Sequence, residues 1–424
     1  MAYDLAQLLA SQADNPRAND IWLPPNWGQY WTPKLQAAQA GQGKATVAIV
    51  GDSITQGWRC SDNESKSYVA LTKAYLQSRY GDGGGGFKTS QDGTAGGVTS
   101  GNPLAPVWTA AGPDRMVTVN GTSVLAGFPA SPAIECTVMQ TNAATASIMV
   151  RGTTAKLYIM AVNSSTFGGT GTATIDGAQS RGISSQGALG MQVTTWTGLT
   201  PGWHTIQITA AVTGSQGLYF CGATGENATG VVVNKFCRPG FASYATNNVV
   251  GQTFNAYGTA YGNGNSNLSA PAGQWCGGSQ YPADLIVYAW GVNDAREGFS
   301  GDVWAQNTRR YLEDVLSGGT QQGATDILFL MHHVGTLEAS TSNTRTYADV
   351  MGRAYSLARA YGAGVVNLWH LGRNSWNYWN SLGYWGDTAT PGIAGSGGTD
   401  EIIHPSDAGH AYIASVLAPV LATV

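Results

Sequence analysis

The chain is short of charge. Of its 424 residues only 11% are charged, and 21 Lys and Arg against 25 Asp and Glu leave a formal net charge of −4. No basic block stands anywhere along it, which argues against binding nucleic acid through bulk electrostatics. Long apolar runs are missing too, so no segment is suited to cross a bilayer as a helix. Cysteines are few and odd in number: five, at Cys60, Cys136, Cys221, Cys237 and Cys276. None forms a C-x-x-C pair, so structural zinc and dithiol redox chemistry have no motif here, and buried free thiols are the expected state. The opening residues, Met1-Ala2-Tyr3-Asp4-Leu5, lack the basic and apolar regions of a signal peptide.

Glycine is abundant instead, with 58 residues, alongside Ser, Thr, Asn and 14 Trp. At this length two domains are expected. The segment through Trp22, Trp27 and Trp31 reads as an irregular covering arm. The apolar run Thr46-Val47-Ala48-Ile49-Val50 then reads as a buried strand, followed by a helix around Ser65–Tyr80. Gly81-Asp82-Gly83-Gly84-Gly85-Gly86 is a breaker cluster. From Phe87 to Glu226 helical periodicity disappears. Short runs rich in Thr, Val, Ile and Tyr take over: Ala146–Val150, Lys156–Ala161, Gly171–Ile175 and His204–Thr209. Asp176-Gly177 is a hairpin turn after a strand. This stretch has room for an all-β sandwich of about eight short strands.

Alternation of strands and helices resumes at Gly230-Val231-Val232-Val233. Further strands are expected at Leu285–Trp290, Ile327–Met331 and Val365–Leu368, separated by helices at Val303–Leu316 and Thr346–Tyr361, with a last helix over Ala408–Leu421. Such alternation implies a parallel sheet with helices on both faces. The predicted organisation is therefore an α/β domain over residues 1–86 and 227–424, interrupted by an inserted, jelly-roll-like β-sandwich over residues 87–226.

Three blocks carry chemistry. Gly51-Asp52-Ser53-Ile54-Thr55 follows the first strand, placing a serine hydroxyl on a sharp turn before a helix. Gly291-Val292-Asn293-Asp294 follows the strand at 285–290, and His404-Pro405-Ser406-Asp407-Ala408-Gly409-His410 leads into the final helix. In open α/β sheets ligands bind at the carboxyl ends of the strands. Ser53, Asn293 and the loop holding Gly240 all follow predicted strands and so share one edge. His404 reaches the same edge from its loop.

In this order the three blocks resemble the SGNH (GDSL-type) hydrolase superfamily. The resemblance covers the scaffold at both ends of the chain and not its middle. It implies a flavodoxin-like three-layer α/β sandwich and a serine esterase that needs no metal and no cofactor. Ser53 is then the nucleophile and His404 the general base that a serine hydroxyl needs at neutral pH. The oxyanion donors are the Ser53 N–H, the Asn293 side-chain amide and a glycine N–H after the second strand, for which Gly240 is the best match. The family pattern puts an aspartate three residues before the histidine. Here that position is Glu401, while Asp400 sits four before. Glu401 orients His404 by register, or Asp400 does so through a one-residue bulge, or a backbone carbonyl does so and neither acid matters.

Asp52 and Asp294 flank the proposed site residues and read as loop-bracing hydrogen bonders. His332 and His333 follow a strand to the same edge. Neighbours on an extended chain point to opposite sides, and no carboxylate or cysteine completes a metal set, so His332 is assigned to substrate-loop packing. The stretch Trp369–Trp385 overhangs the site, and Trp376, Trp379 and Trp385 are candidate surfaces for stacking on sugar rings. The expected substrate is an O-acyl ester, most simply O-acetyl, on a cell-envelope or plant-type polysaccharide, with a short-chain or lipid ester as the enzymatic alternative. Trp196, Trp203 and Tyr219 in the insert fit either a sugar-binding module or a subunit contact. The composition and the opening residues also suit an extracellular chain whose leader has been cut away, or a phage virion tail or adhesion protein. In the second case the sandwich grips a surface glycan or another subunit, in a homo-oligomer or a particle.

Overall fold

The computed structural model describes residues 20–62, 64–89, 117–120, 137–139, 142–161, 165–166, 168–187, 190–214, 216–237, 242–243, 282–317, 325–339, 341–386 and 403–423. Strand β1 (Ile21–Trp22) and helix α1 (Trp31–Gln39) lead into β2 (Lys44–Gly51), the short helix α2 (Ser53–Gln56) and α3 (Tyr68–Tyr80). Ten strands follow: β3 (Gly86–Thr89), β4 (Val117–Asn120), β5 (Thr137–Met139), β6 (Thr145–Arg151), β7 (Thr154–Ala161), β8 (Thr170–Ile175), β9 (Gln179–Ser184), β10 (Gly190–Thr197), β11 (Trp203–Ala211) and β12 (Leu218–Glu226). The α/β alternation returns with β13 (Gly230–Cys237), β14 (Leu285–Ala289), α4 (Val292–Arg296), α5 (Gly301–Ser317), β15 (Asp326–Met331), α6 (Thr341–Tyr361) and β16 (Gly364–Asn367). Helices α7 (Leu368–Leu371), α8 (Trp376–Ser381) and α9 (Asp407–Leu421) complete the described chain.

The first sheet has the order β1-β16-β15-β14-β2-β13. β1 runs antiparallel at its edge, and every other neighbouring pair is parallel. All residues of β13, β14, β15 and β16 are buried, as expected of a sheet covered on both faces. β2 lies between β13 and β14, where the winding of the sheet reverses, so the turn at its carboxyl end opens onto the crevice in which α/β folds bind ligands.

The other two sheets are antiparallel. One has the order β10-β7-β12-β3 with β5 paired to β12, and the other has the order β4-β6-β11-β8-β9. They form the inserted sandwich, which leaves the α/β domain after α3 and returns to it at β13. In the outer sheet β6 and β11 alternate buried and more exposed residues, the pattern of a strand with one face on a core. β12 is buried along its whole length because it serves two cores. Leu218 and Phe220 point into the sandwich, whereas Tyr219 and Cys221 point into the core of the α/β domain. β7 does the same, with Leu157 and Ile159 on one side and Tyr158 and Met160 on the other.

The opening segment departs from the sequence expectation. It is not an irregular arm throughout but contributes an edge strand and a helix. No side chain of its own caps α1. The Asp326 carboxylate does so from the start of β15, accepting from the N–H groups of Gly28 (3.2 Å), Tyr30 (2.9 Å) and Trp31 (2.7 Å). Trp31 is fully buried and donates from its indole to the Leu421 carbonyl at 2.7 Å. The sandwich also holds more strands than the eight expected, ten among the described residues. Cys60, Cys221 and Cys237 are free thiols.

α9 packs on α3 through a buried histidine. His410 Nδ1 accepts from the Tyr68 N–H at 3.3 Å, and its Nε2 faces the Trp58 carbonyl at 3.4 Å. A carbonyl only accepts, so the ring is the neutral Nε2–H tautomer. Burial pushes the His410 pKa down to about 4. Burial, with His410 nearby, pushes His332 down to about 3. Both groups take up a proton more readily when the chain unfolds. Their contribution to stability is therefore complete above pH 6.5 and drains as pH falls toward the folded values. Below pH 6.5 each such histidine contributes a fall of about 1.4 kcal/mol per pH unit, read in urea titrations down to pH 4.5 as the difference between wild type and a variant that lacks it. The variant His332→Leu should have a shallower slope by about one proton, and an unchanged slope would refute the assignment.

Candidate active site

Ser53 opens α2 directly after β2. Gly51, one residue before the turn, is needed for close approach: a Cβ there would lie 2.0 Å from Thr55 Oγ1. The Asp52 side chain caps α2, accepting from the Ile54 N–H at 2.9 Å, which fixes the backbone that carries Ser53. Thr55 Oγ1 lies 2.9 Å from the Tyr68 hydroxyl, tying the same turn to α3.

The Ser53 hydroxyl oxygen lies 2.9 Å from His404 Nε2, although the two residues are 351 apart in sequence. Separate contacts hold the histidine loop. Trp385 and Pro405 form an antiparallel bridge, and the Gly386 N–H donates to the His404 carbonyl at 2.8 Å. The Ser406 N–H donates to the Tyr384 carbonyl at 2.8 Å. Behind the histidine, Asp407 accepts from the Ser61 N–H and the Ser61 hydroxyl, both at 2.7 Å, and pairs with Lys66 Nζ at 2.8 Å. The loop after α2 and the start of α9 are thus fastened to each other beside the Ser53–His404 contact. The Trp58 ring, 5.7 Å from that of His404, flanks it. Neither the Ser61–Asp407–Lys66 cluster nor Trp58 is signalled by sequence spacing, because each acts across a chain separation that no local motif records.

Asn293 stands at the start of α4, brought beside Ser53 by the pairing of Ala289 with Gly51 in β14 and β2. Gly291 before it has φ +148°, a conformation that favours glycine. The Asn293 amide approaches Asp52 Oδ2 at 3.5 Å. Asp294 is buried and accepts from the Ser243 N–H at 2.9 Å and from the Ser243 hydroxyl, which in turn accepts from Asn307 at 3.0 Å. Both aspartates are braces, as their neighbours in sequence suggest. Burial pushes Asp52 up to about 7, with its bond to Ile54 opposing and the Asp294 charge adding. Burial likewise raises Asp294 to about 6 against its bonds from Ser243. Gly240, Asp400 and Glu401 lie outside the described residues.

The remaining candidates separate. His332 is buried against Tyr68, ring centroids 5.4 Å apart, and neither of its ring nitrogens has a hydrogen-bond partner. His333 turns the other way, its ring 5.0 Å from Trp379 and 5.3 Å from Trp385. Trp379 and Trp385 are 1% and 3% exposed, packed with Tyr384, Tyr412 and His333, and present almost no surface to a ligand. Trp376, at the start of α8, is half-buried and packs against the core. Among the described residues no cluster of His, Cys, Asp or Glu is arranged to hold a metal ion, and no helix is long and apolar enough to cross a membrane.

Residues 221–412 match the GDSL-like Lipase/Acylhydrolase family. A solved structure of a peptidoglycan O-acetylesterase is similar at 18% identity, covering 92% of this chain and 95% of that chain with a TM-score of 0.50. Lesser likenesses include a family 2 carbohydrate esterase with a carbohydrate binding domain from Corynascus thermopiles (Myceliophthora fergusii), at 15% identity, 72% and 98% coverage and a TM-score of 0.27. A family two carbohydrate esterase from Cellvibrio japonicus gives 12% identity, 72% and 98% coverage and a TM-score of 0.27. No curated protein matches the chain. The sheet order follows the flavodoxin-like pattern, and residues 221–412 match the acylhydrolase family: the chain carries a GDSL-like acylhydrolase domain and is a carboxylic ester hydrolase.

Proposed function

We propose that the chain removes O-acyl groups, most simply O-acetyl, from a cell-envelope or plant-type polysaccharide outside the cell, with Ser53 as nucleophile and His404 as its base. The 2.9 Å contact between Ser53 Oγ and His404 Nε2 carries this reading. Ser53 Oγ attacks the ester carbonyl while His404 Nε2 takes its proton. The Ser53 N–H, the Asn293 amide and the Gly240 N–H face the oxyanion that forms. His404 returns the proton to the departing sugar hydroxyl. It then takes a proton from water, which attacks the acyl-serine; the acyl–Oγ bond breaks, His404 returns the proton to Ser53 Oγ, and the acid is released. Glu401 orients His404 by register. The likeness to a peptidoglycan O-acetylesterase over most of both chains supports a glycan substrate. So does the inserted sandwich, offered as a sugar-binding surface, and the half-buried Trp376, offered as a stacking face.

Hydrolysis of p-nitrophenyl acetate, butyrate and octanoate, alongside acetate release from acetylated glycans, tests this assignment. Wild type should prefer acetyl esters, and Ser53→Ala or His404→Ala should lower kcat by at least about 10⁴-fold, the double variant costing little more. Turnover surviving in Ser53→Ala would sink the proposal. Asn293→Ala should lower kcat by about 10²–10³-fold with KM little changed, as for loss of one oxyanion donor; a rise in KM alone would instead make Asn293 a ground-state contact. Glu401→Gln should depress kcat more than Asp400→Asn, and the reverse order would transfer the orienting role to Asp400.

A further inference from the structure

The chain turns sharply just after the helix that carries the nucleophile. Gly57, which ends α2, is left-handed with φ +95°, and Arg59 is left-handed with φ +67°. A non-glycine residue in that region is strained, and such strain persists only where the surrounding structure holds it. Between the two, Trp58 is folded back over α2. Its N–H donates to the Ser53 carbonyl at 3.0 Å. Its carbonyl faces His410 Nε2 at 3.4 Å, and its ring lies 5.7 Å from that of His404, tilted by 45°. One residue therefore meets the backbone of Ser53, the side chain of His404 and, through His410, helix α9. Trp58 is 9% exposed, yet among the described residues it belongs to neither hydrophobic core. Its ring is buried at the site instead.

His404 has use for such a neighbour. The Gly386 N–H and the Trp385–Pro405 bridge hold its main chain. They leave the side-chain torsions to be set by whatever packs on the imidazole, and other staggered arrangements would carry Nε2 away from Ser53.

We propose that Trp58 is a positioning residue: its ring closes one side of the His404 imidazole and keeps Nε2 on Ser53 Oγ, while His410 holds Trp58 in place. The proposal rests on the reading of Ser53 and His404 as nucleophile and base. His410 is itself held on two sides. Its Nδ1 accepts from the Tyr68 N–H at 3.3 Å, and its ring stacks on that of Tyr68 at 6.1 Å with 12° between the planes. The Tyr68 hydroxyl returns to α2 through Thr55 Oγ1, at 2.9 Å. The contacts thus close a circuit from Ser53 through Trp58, His410, Tyr68 and Thr55 back to the nucleophile helix. A side chain that acts on the alignment of the reacting groups affects kcat, not substrate binding.

Kinetics on p-nitrophenyl acetate and crystal structures of the variants test this together. Trp58→Ala should lower kcat by about 10- to 100-fold with KM little changed, and Trp58→Phe, which keeps a ring against His404, should restore most of it. His410→Phe should also lower kcat, and the Trp58→Ala/His410→Phe double variant should cost little more than the worse single change. Val420→Ala serves as the control for lost stability. It opens a cavity at a buried position about 15 Å further along α9 and should leave kcat unchanged. In the Trp58→Ala structure the Ser53–His404 contact, 2.9 Å in the wild type, should be lost. That measurement needs no turnover, so it judges Trp58 even if the esterase assignment fails in the assays above. A contact that stays at its wild-type length, a loss confined to KM, or an equal loss in Val420→Ala would overturn the proposal. Full additivity in the double variant would remove His410 from it.

Discussion

The contact between Ser53 and His404 joins two loops that nothing in the local chain brings together, and the fold is organised around keeping them still. Each loop is anchored on its own account: Ser53 by the Gly51 turn and the Asp52 cap, His404 by its bridge to the Trp385 segment. A third set of contacts then fastens loop to loop, with Asp407 accepting from Ser61 and pairing with Lys66 while His410 fills the gap between Trp58 and Tyr68. Preorganisation of this kind matters for nucleophilic catalysis because misplacement by about 1 Å is enough to lose much of the rate. The outer contacts, the Lys66–Asp407 ion pair and the Ser61 hydrogen bonds, are half-exposed and worth little in isolation. Their value lies in geometry, since they lock a separation that the buried core has already set.

The inserted sandwich is not a passenger on this scaffold. β7 and β12 send alternate side chains into two different cores, so the inner sheet is at once half of the sandwich and a third layer on the α/β domain. A period-2 strand serves this purpose naturally, because neighbouring residues face opposite ways. The arrangement removes the independence that an inserted module would otherwise have. The seam it creates is where buried charge collects, with Lys88 from the sandwich and Lys235 from the parallel sheet meeting at Glu64 in the loop that follows the nucleophile turn.

Much of this was legible in the residues. The strands of the parallel sheet appear as uninterrupted apolar runs because both faces are covered, and the motif turns stand where those runs stop. What escaped was whatever depends on a distant partner. α1 looks like an irregular segment because its cap is Asp326, 298 residues beyond Gly28. β9, with four exposed residues in succession, has no buried face pattern to announce it. The aromatic stretch around Trp379 was readable as aromatic but not as inward-facing. Only packing against His333 and Tyr412 decides that Trp379 and Trp385 are core while Trp376 is half-buried. Asp407, three residues from both His404 and His410 at the start of α9, gave no hint that it holds the loop on the far side of the site.

The two bracing aspartates add a point about charge. A fully ionised carboxylate beside Asn293 would place negative charge next to the region where an oxyanion develops, and in a poorly solvated site that repulsion would be felt strongly. Asp52 and Asp294 are instead buried deeply enough to be pushed up to about 7 and about 6. Burial thus favours the neutral form of each. Each carboxylate also spends an oxygen on a backbone N–H, Ile54 for Asp52 and Ser243 for Asp294, so the charge that remains is turned toward loop geometry. The site thereby gains the rigidity of buried carboxylates while softening the field they would impose on the reacting ester.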